Sequence, residues 1–416
     1  MNASTDFFGW RVVAGAFVLA VFGWGLGFYG PPVYLHAVQE ARQWSVVLVS
    51  TAVTLHFLIG AVIVANLPAL YRRFGLPTIT KAGALLLAIG VIGWAVAREP
   101  WQLLLATLPS GAGWVAMGAA AVNAIIAPWF VHKRPAALSM AYNGASIGGV
   151  VFSPLWVAAI AWLDFPIAAT IIGATMLLAV WLLSDLIFSR TPDGMGQLPD
   201  GETSDTAPAA TASAPSLPGR LLWRDRAFLT LAAAMALGLF AQIGLIAHLF
   251  SLLVPALGEQ AAGIVMGLAT ASAIAGRTAV GWLMPAGSDR RLFACASHAV
   301  QIAGSLALIL AAGDNVVLLV AGVLLFGAGI GNTTSLPPLI AQVEFTRADV
   351  QRVVPLIVAI GQGTYAFAPA AFGALRSLSI HETAAVAVAA AIIQALALAA
   401  FLAGRRRVPS LAPARP

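Results

Sequence analysis

The chain has 416 residues, 60% of them hydrophobic and only 9% charged, with a formal net charge of +6. A mean hydropathy of +0.91 excludes an ordinary soluble domain. Basic residues scattered along the chain exclude a nucleic-acid-binding surface, and the single cysteine, Cys295, excludes an internal disulfide.

Apolar runs long enough to cross a bilayer recur almost to the C-terminus, so the expected fold is an all-α polytopic membrane protein. The hydropathy pattern predicts twelve spans: Trp10–Pro32, Val46–Leu70, Thr78–Ala97, Gln102–Ala127, Ala136–Leu163, Phe165–Phe188, Ala227–Pro255, Ala261–Pro285, Leu292–Ala312, Val316–Ala341, Val353–Leu375 and Thr383–Ala403. The first reads as a span rather than a cleavable leader, because it is long and lacks an Ala-x-Ala exit. Pro31-Pro32 and Pro337-Pro338 are expected to break their helices and to serve as gate hinges. Small-xxx-small spacings at Gly23/Gly27, Gly144/Gly148, Gly263/Gly267 and Gly327/Gly331 imply close helix packing.

Between the sixth and seventh spans, Ser189–Asp225 is rich in Pro, Gly, Ser and Thr and reads as a flexible linker. It divides the chain into a six-helix half (1–188), a cytoplasmic linker (189–225), a second six-helix half (226–404) and a basic tail (405–416). Two such halves around a midplane site describe a transporter architecture. Weak internal symmetry agrees: Leu67-Pro68-Ala69 matches Met284-Pro285-Ala286, and Pro154 matches Pro369. If both termini are cytoplasmic, 18 of the 22 Lys and Arg residues fall on the inner side and three on the outer. The expected location is therefore a bacterial inner membrane, with the lipid bilayer as the surrounding partner.

The remaining cation, Arg277, lies in the middle of the eighth span, with no carboxylate at comparable depth in any span. A charge there costs about 2.5–3.5 kcal/mol on insertion scales. A lone guanidinium at that depth points to a partner that arrives from outside, a small organic anion. Tyr29, Asn143, Asn332, Gln362 and Tyr365 are the polar residues expected to shape the site around it. His56, near the centre of the second span, is the group expected to couple protons, since no mid-membrane Asp or Glu is available. Glu344, on the inner rim, is expected to be solvated or paired with Arg347. No metal-spaced His/Cys/Asp cluster, phosphate-cradling loop or Ser/His/Asp set is evident, so neither an enzyme nor a cofactor is expected.

Three stretches carry a resemblance to a known family. These are Gly9-Trp10-Arg11-Val12-Val13-Ala14-Gly15-Ala16-Phe17, then Trp129-Phe130-Val131-His132-Lys133-Arg134-Pro135-Ala136-Ala137-Leu138-Ser139 continuing to Gly144, Gly148 and Pro154, and Gly276-Arg277-Thr278-Ala279-Val280-Gly281. In these the chain resembles the major facilitator superfamily, and within it the branch of monocarboxylate porters and oxalate–formate antiporters. The resemblance implies the two-half major facilitator fold and a carboxylate-pairing role for Arg277. The chain departs from that branch at Ala273, where proton-coupled members carry an aspartate, and at Gln362, where the oxalate antiporter has a second cation. It also lacks a first-helix lysine, and no acid precedes Arg72 and Arg73 in the loop after the second helix. One cation instead of two favours a monovalent anion.

The expected function is a secondary transporter that moves a monocarboxylate by alternating access as a monomer, coupled by anion exchange or proton symport. Two alternatives stay open: an exporter of hydrophobic compounds in which Arg277 is structural, and a transporter-like sensor.

Overall fold

A computed structural model describes residues 7–201, 219–285 and 288–405. Among them there is no strand, and twelve helical segments are long and apolar enough to cross a membrane. In the first half these are α1 (Gly9–Gly27) continued by α2 (Gly30–Arg42), α3 (Val46–Phe74), α4 (Leu76–Val96), α5 (Pro100–Met117) continued by α6 (Ala119–Ile126), α7 (Arg134–Leu163) and α8 (Phe165–Leu183). A short α9 (Gly219–Leu222) precedes the second half. That half comprises α10 (Arg226–Leu257), α11 (Glu259–Leu283), α12 (Arg290–Leu310), α13 (Val316–Glu344), α14 (Arg347–Tyr365) continued by α15 (Ala368–Ser377), and α16 (Glu382–Ala403). With twelve spans among the described residues, the first begins and the last ends on one face, here called the terminus-bearing face. The distal face carries the opposite loops.

Where spans break, the residues explain it in part. The first span is interrupted at Phe28–Tyr29, just before Pro31-Pro32, and α2 then continues it well past the expected end to Arg42. The eleventh is interrupted at Ala366–Phe367, two residues before Pro369. The expected break at Pro337-Pro338 does not occur, and α13 runs straight through. In the turns before those prolines the hydroxyls of Thr333, Thr334 and Ser335 donate to the carbonyls of Gly329 and Gly331. These bonds fasten the turn before the prolines to the turn preceding it, while the carbonyls of Thr333 and Thr334 are the ones that lose their i+4 backbone donors.

The linker also differs from expectation in its first part. Residues 189–201 are not free but docked on the first half. Gln197 Oε1 accepts from the Phe8 N–H at 3.0 Å. The Asp200 carboxylate accepts the backbone N–H groups of Val131 (3.0 Å), His132 (2.7 Å) and Lys133 (3.0 Å). Burial works against ionisation of Asp200, yet those N–H groups hold its carboxyl below the ordinary aspartate range. Residues 202–218 and 406–416, the middle of the linker and most of the expected basic tail, lie outside the described residues.

Within the second half, two sets of polar groups buried in helix–helix seams are satisfied locally. Arg291, 1% exposed, pairs with Glu344 through Nε–Oε1 at 2.6 Å and Nη2–Oε2 at 2.8 Å. Glu344 is thus tied across to α12 rather than being solvated on the rim. Gln301, Gln242, Gln394, Thr333 and Ser305 form a hydrogen-bonded seam among α10, α12, α13 and α16.

Candidate functional site

The two halves meet chiefly through α7 and α11, and the distal half of that seam is tightly closed. A methyl group on Gly267 would lie 2.9 Å from the Val150 carbonyl oxygen, and one on Gly263 would lie 2.9 Å from Val157. Nearby, Thr54 Oγ1 of α3 accepts the Ala370 N–H of α15 at 2.9 Å. His36 Nε2 of α2 stands 3.6 Å from Glu259 Oε1 at the start of α11. These inter-half contacts lie on the distal side. Toward the terminus-bearing face the same two helices are uncovered: Pro135, Ala136, Ser139 and Met140 on α7, and Thr278, Ala279 and Gly281 on α11, are exposed. The seam is closed at one end and open at the other.

Arg277 stands where the closure ends. Thr270, about two turns earlier on α11, is buried against Gly149 of α7. A side chain on a helix leans toward the helix N-terminus, so the guanidinium reaches back toward that closed seam. It lies over Gly331 of α13, where a methyl would come within 2.7 Å of Nε. Glycine at 331 is what lets the group lie flat on the helix. Arg277 Nε is buried and has no hydrogen-bond partner. Among the described residues it forms no ion pair, unlike Arg291.

Of the residues expected around it, Tyr29 and Asn332 are brought to Arg277. Tyr29, 7% exposed, lies with Thr270 against Gly149 and within electrostatic reach of the guanidinium. Asn332 donates from Nδ2 to the Gly276 carbonyl at 3.4 Å, and its Oδ1 is buried without a partner. An orphan donor and an orphan acceptor therefore sit on adjacent positions of one site. Gln362 and Tyr365, three positions apart, form a second group at the end of α14. Tyr365 reaches the first half through Phe57, ring centroids 5.7 Å apart.

Asn143 and His56 are not brought there. Asn143 is exposed on α7, while its neighbour Tyr142 turns inward to Asn123 and to the Ala119 carbonyl. His56, 2% exposed, is held inside the first half with both ring nitrogens engaged. Nε2 is 2.9 Å from the Gly27 carbonyl and Nδ1 is 2.8 Å from Ser110 Oγ. A carbonyl can only accept, so Nε2 carries the hydrogen and Nδ1 faces the hydroxyl, which is the pattern of a fixed neutral imidazole.

Sequence reasoning missed Thr270, Gly331 and an aromatic group that joins the site to the first half. Phe28 lies 5.0 Å from Tyr29, 6.1 Å from Phe57 and 6.0 Å from Trp114, and Trp24 lies 5.0 Å from Trp114, all between ring centroids. The available signal was the i, i+4 pair Trp24/Phe28 beside the span break, with Gly23, Gly25 and Gly27 interleaved.

Comparison with known proteins agrees with this architecture. The sequence model of the Major Facilitator Superfamily matches residues 13–369. The chain is 30% identical over 190 residues to MFS-type transporter 1 of Ophiocordyceps sp. (strain BCC 1869), covering 44% of this chain and 41% of that protein. It is 26% identical over 201 residues to MFS transporter asaE of Aspergillus flavus, covering 46% and 44%. The matched region thus spans less than half the length of these curated relatives. Among solved structures, the nucleoside transporter NupG superposes with a TM-score of 0.71 at 13% identity, over 96% of this chain and 99% of that one. A bacterial homolog of the human lysosomal transporter Spinster, inward-facing and occupied, gives 0.71 at 14% identity over 96% and 97%. With twelve spans in two six-helix halves among the described residues and a family match across most of its length, the chain belongs to the Major Facilitator Superfamily.

Proposed function

We propose that this transporter carries a small organic anion, a monocarboxylate, across a bacterial inner membrane, with Arg277 as the group that binds the carboxylate. The observation that carries this reading is the buried, unpartnered Nε of Arg277 at the inner limit of the closed seam. A guanidinium there is costly unless an anion neutralises it, and its planar fork suits a carboxylate. Asn332 Oδ1 supplies an acceptor for a hydroxyl or an acid proton on the same ligand.

The terminus-bearing face is taken as cytoplasmic, because it holds most of the basic residues. The described conformation is then the inward-open member of an alternating-access pair, in which one half rocks on the other about the site. The protein works as a monomer. Anion exchange is the favoured coupling. His56 is locked by two hydrogen bonds within the first half, and Ala273 stands one turn before Arg277 where an acid would be needed.

Uptake of radiolabelled organic acids, from formate and lactate upward, into proteoliposomes tests this directly. Wild-type protein should exchange external for internal acid. Arg277→Ala should lose more than about 90% of the flux, and Arg277→Lys most of it, because a point charge does not reproduce the bidentate fork. Wild-type rates in both variants would remove the anion-pairing role.

A further inference from the structure

The anion reading explains one end of the site and leaves the other unexplained. Trp24, Trp114, Phe28, Phe57 and Tyr365 form a continuous run of rings linking α1, α5, α3 and α14, each within 6.1 Å of the next between centroids. Two features separate it from ordinary core packing. First, Trp24, Phe28 and Tyr365 keep part of their surface uncovered, whereas the core rings Phe130, Trp156 and Phe326 do not exceed 1% exposure. Trp24 and Phe28 belong to an open stripe on α1, with Ala14, Val18 and Val21, at spacings of three and four residues; the opposite stripe of Val12, Val13, Ala16 and Leu19 is buried against the first half. Second, the Phe57–Tyr365 contact crosses between the halves. That seam must part and re-form in every transport cycle, and large rings there leave a slot when the halves move.

At Phe28 the run passes beside the cation. Phe28 packs on Tyr29 at 5.0 Å, and Tyr29 is the ring within electrostatic reach of Arg277. From these facts we propose that the transported acid is an aromatic monocarboxylate, its carboxylate on Arg277 and its ring among Phe28, Phe57, Trp114 and Tyr365. This rests on the anion reading above. A ring gains from edge-to-face and offset contacts with such a wall, with little internal freedom to lose. An acid of two or three carbons satisfies Arg277 but leaves the wall unfilled. A flexible alkyl acid fills it at the cost of ordering its chain.

Equilibrium binding to the purified full-length protein in detergent separates this proposal from the reading beneath it. The probes are benzoate, phenylacetate, acetate, lactate and neutral benzamide. Benzoate or phenylacetate should bind at least about tenfold more tightly than acetate and lactate, a ratio in the range of aromatic pair energies. Benzamide should not bind measurably. Tyr365→Leu should compress the aromatic preference toward unity, and Tyr365→Phe should preserve it. Acetate and lactate binding as tightly as the aromatic acids, or a preference untouched by Tyr365→Leu in protein of unchanged melting temperature, would overturn the aromatic assignment while leaving the anion reading standing. Benzamide binding as well as benzoate, or no acid binding at all, would overturn both. The wild-type panel alone decides the matter if a variant fails to fold.

Discussion

Arg291 and Arg277 are both guanidinium groups in the second half, and their surroundings predict opposite responses to substitution. Arg291 is saturated: besides Glu344 it donates to the Ala227 and Phe401 carbonyls and to Thr230, joining α12 to α10, α13 and α16. Glu344→Gln strips the charge partner from a group that is 1% exposed. It should lower stability by about 3–5 kcal/mol, read as a clear fall in melting temperature in detergent. The paired change Arg291→Met with Glu344→Leu should recover most of the loss. Arg277→Gln removes a charge whose Nε has no partner to strand, so the melting temperature should hold or rise. An Arg277→Gln variant that melts as low as Glu344→Gln would place Arg277 among the braces. Arg277 was legible in the sequence because a charge in mid-span has few explanations. The Arg291–Glu344 pair was not, since both residues lie near predicted span ends and hydropathy says nothing of which ends touch.

At the scale of elements, the docked start of the linker shows what local composition cannot encode. Its Pro- and Gly-rich sequence correctly marks the absence of a span, but its order comes from Asp200, 67 to 69 residues from the backbone groups it gathers. Those groups belong to the turn that leads into α7, within the motif Trp129–Ser139 that carried the family resemblance. Phe7 and Phe8 close over the same turn, Phe8 lying 5.5 Å from Trp129 and Phe7 5.4 Å from Phe130. The turn is thus pinned from both sides as it delivers α7 to the seam. Asp200→Ala leaves three N–H groups without their acceptor, at a cost of about 1–3 kcal/mol. Hydrogen exchange at Val131, His132 and Lys133 should accelerate together in that variant, with exchange in the middle of α7 unchanged. The pH dependence has a definite sign. A carboxyl held below its ordinary range contributes above the unfolded aspartate value and loses that contribution as pH falls through the depressed one. Protection of the turn, corrected for intrinsic exchange, should therefore stay constant from about pH 8 to pH 5 and fall only at greater acidity. Protection that already declines across neutral pH would mean that a group other than Asp200 holds the turn.

For the molecule as a whole, the question is what keeps the distal side shut. The spans and the two-half division could be read from hydropathy, and Gly263/Gly267 could be read as a close-packing stripe. Which helix fills that stripe could not, because any small-residue face accepts many partners. The structure supplies α7, with Val150, Pro154 and Val157 lying directly on the two glycines. Closure then rests on backbone approach that no larger residue permits. In Gly267→Val, the new Cβ meets the Val150 carbonyl oxygen at about 2.9 Å, a backbone atom that cannot swing aside. Overpacking of this kind costs about 1–3 kcal/mol, and the penalty falls only on the distally closed state. A difference of about 1.4 kcal/mol changes a two-state ratio tenfold. The variant should therefore populate the distally open state. Spin labels on the exposed distal residues Gln43 of the first half and Leu378 of the second report the change. Their distance distribution should shift to longer values in Gly267→Val, and exchange flux should fall because the cycle needs both states. If Gly267→Val keeps the wild-type distances and flux, contact between α7 and α11 is not what holds the distal side closed, and the burden passes to the α2–α11 and α3–α15 contacts at His36–Glu259 and Thr54–Ala370.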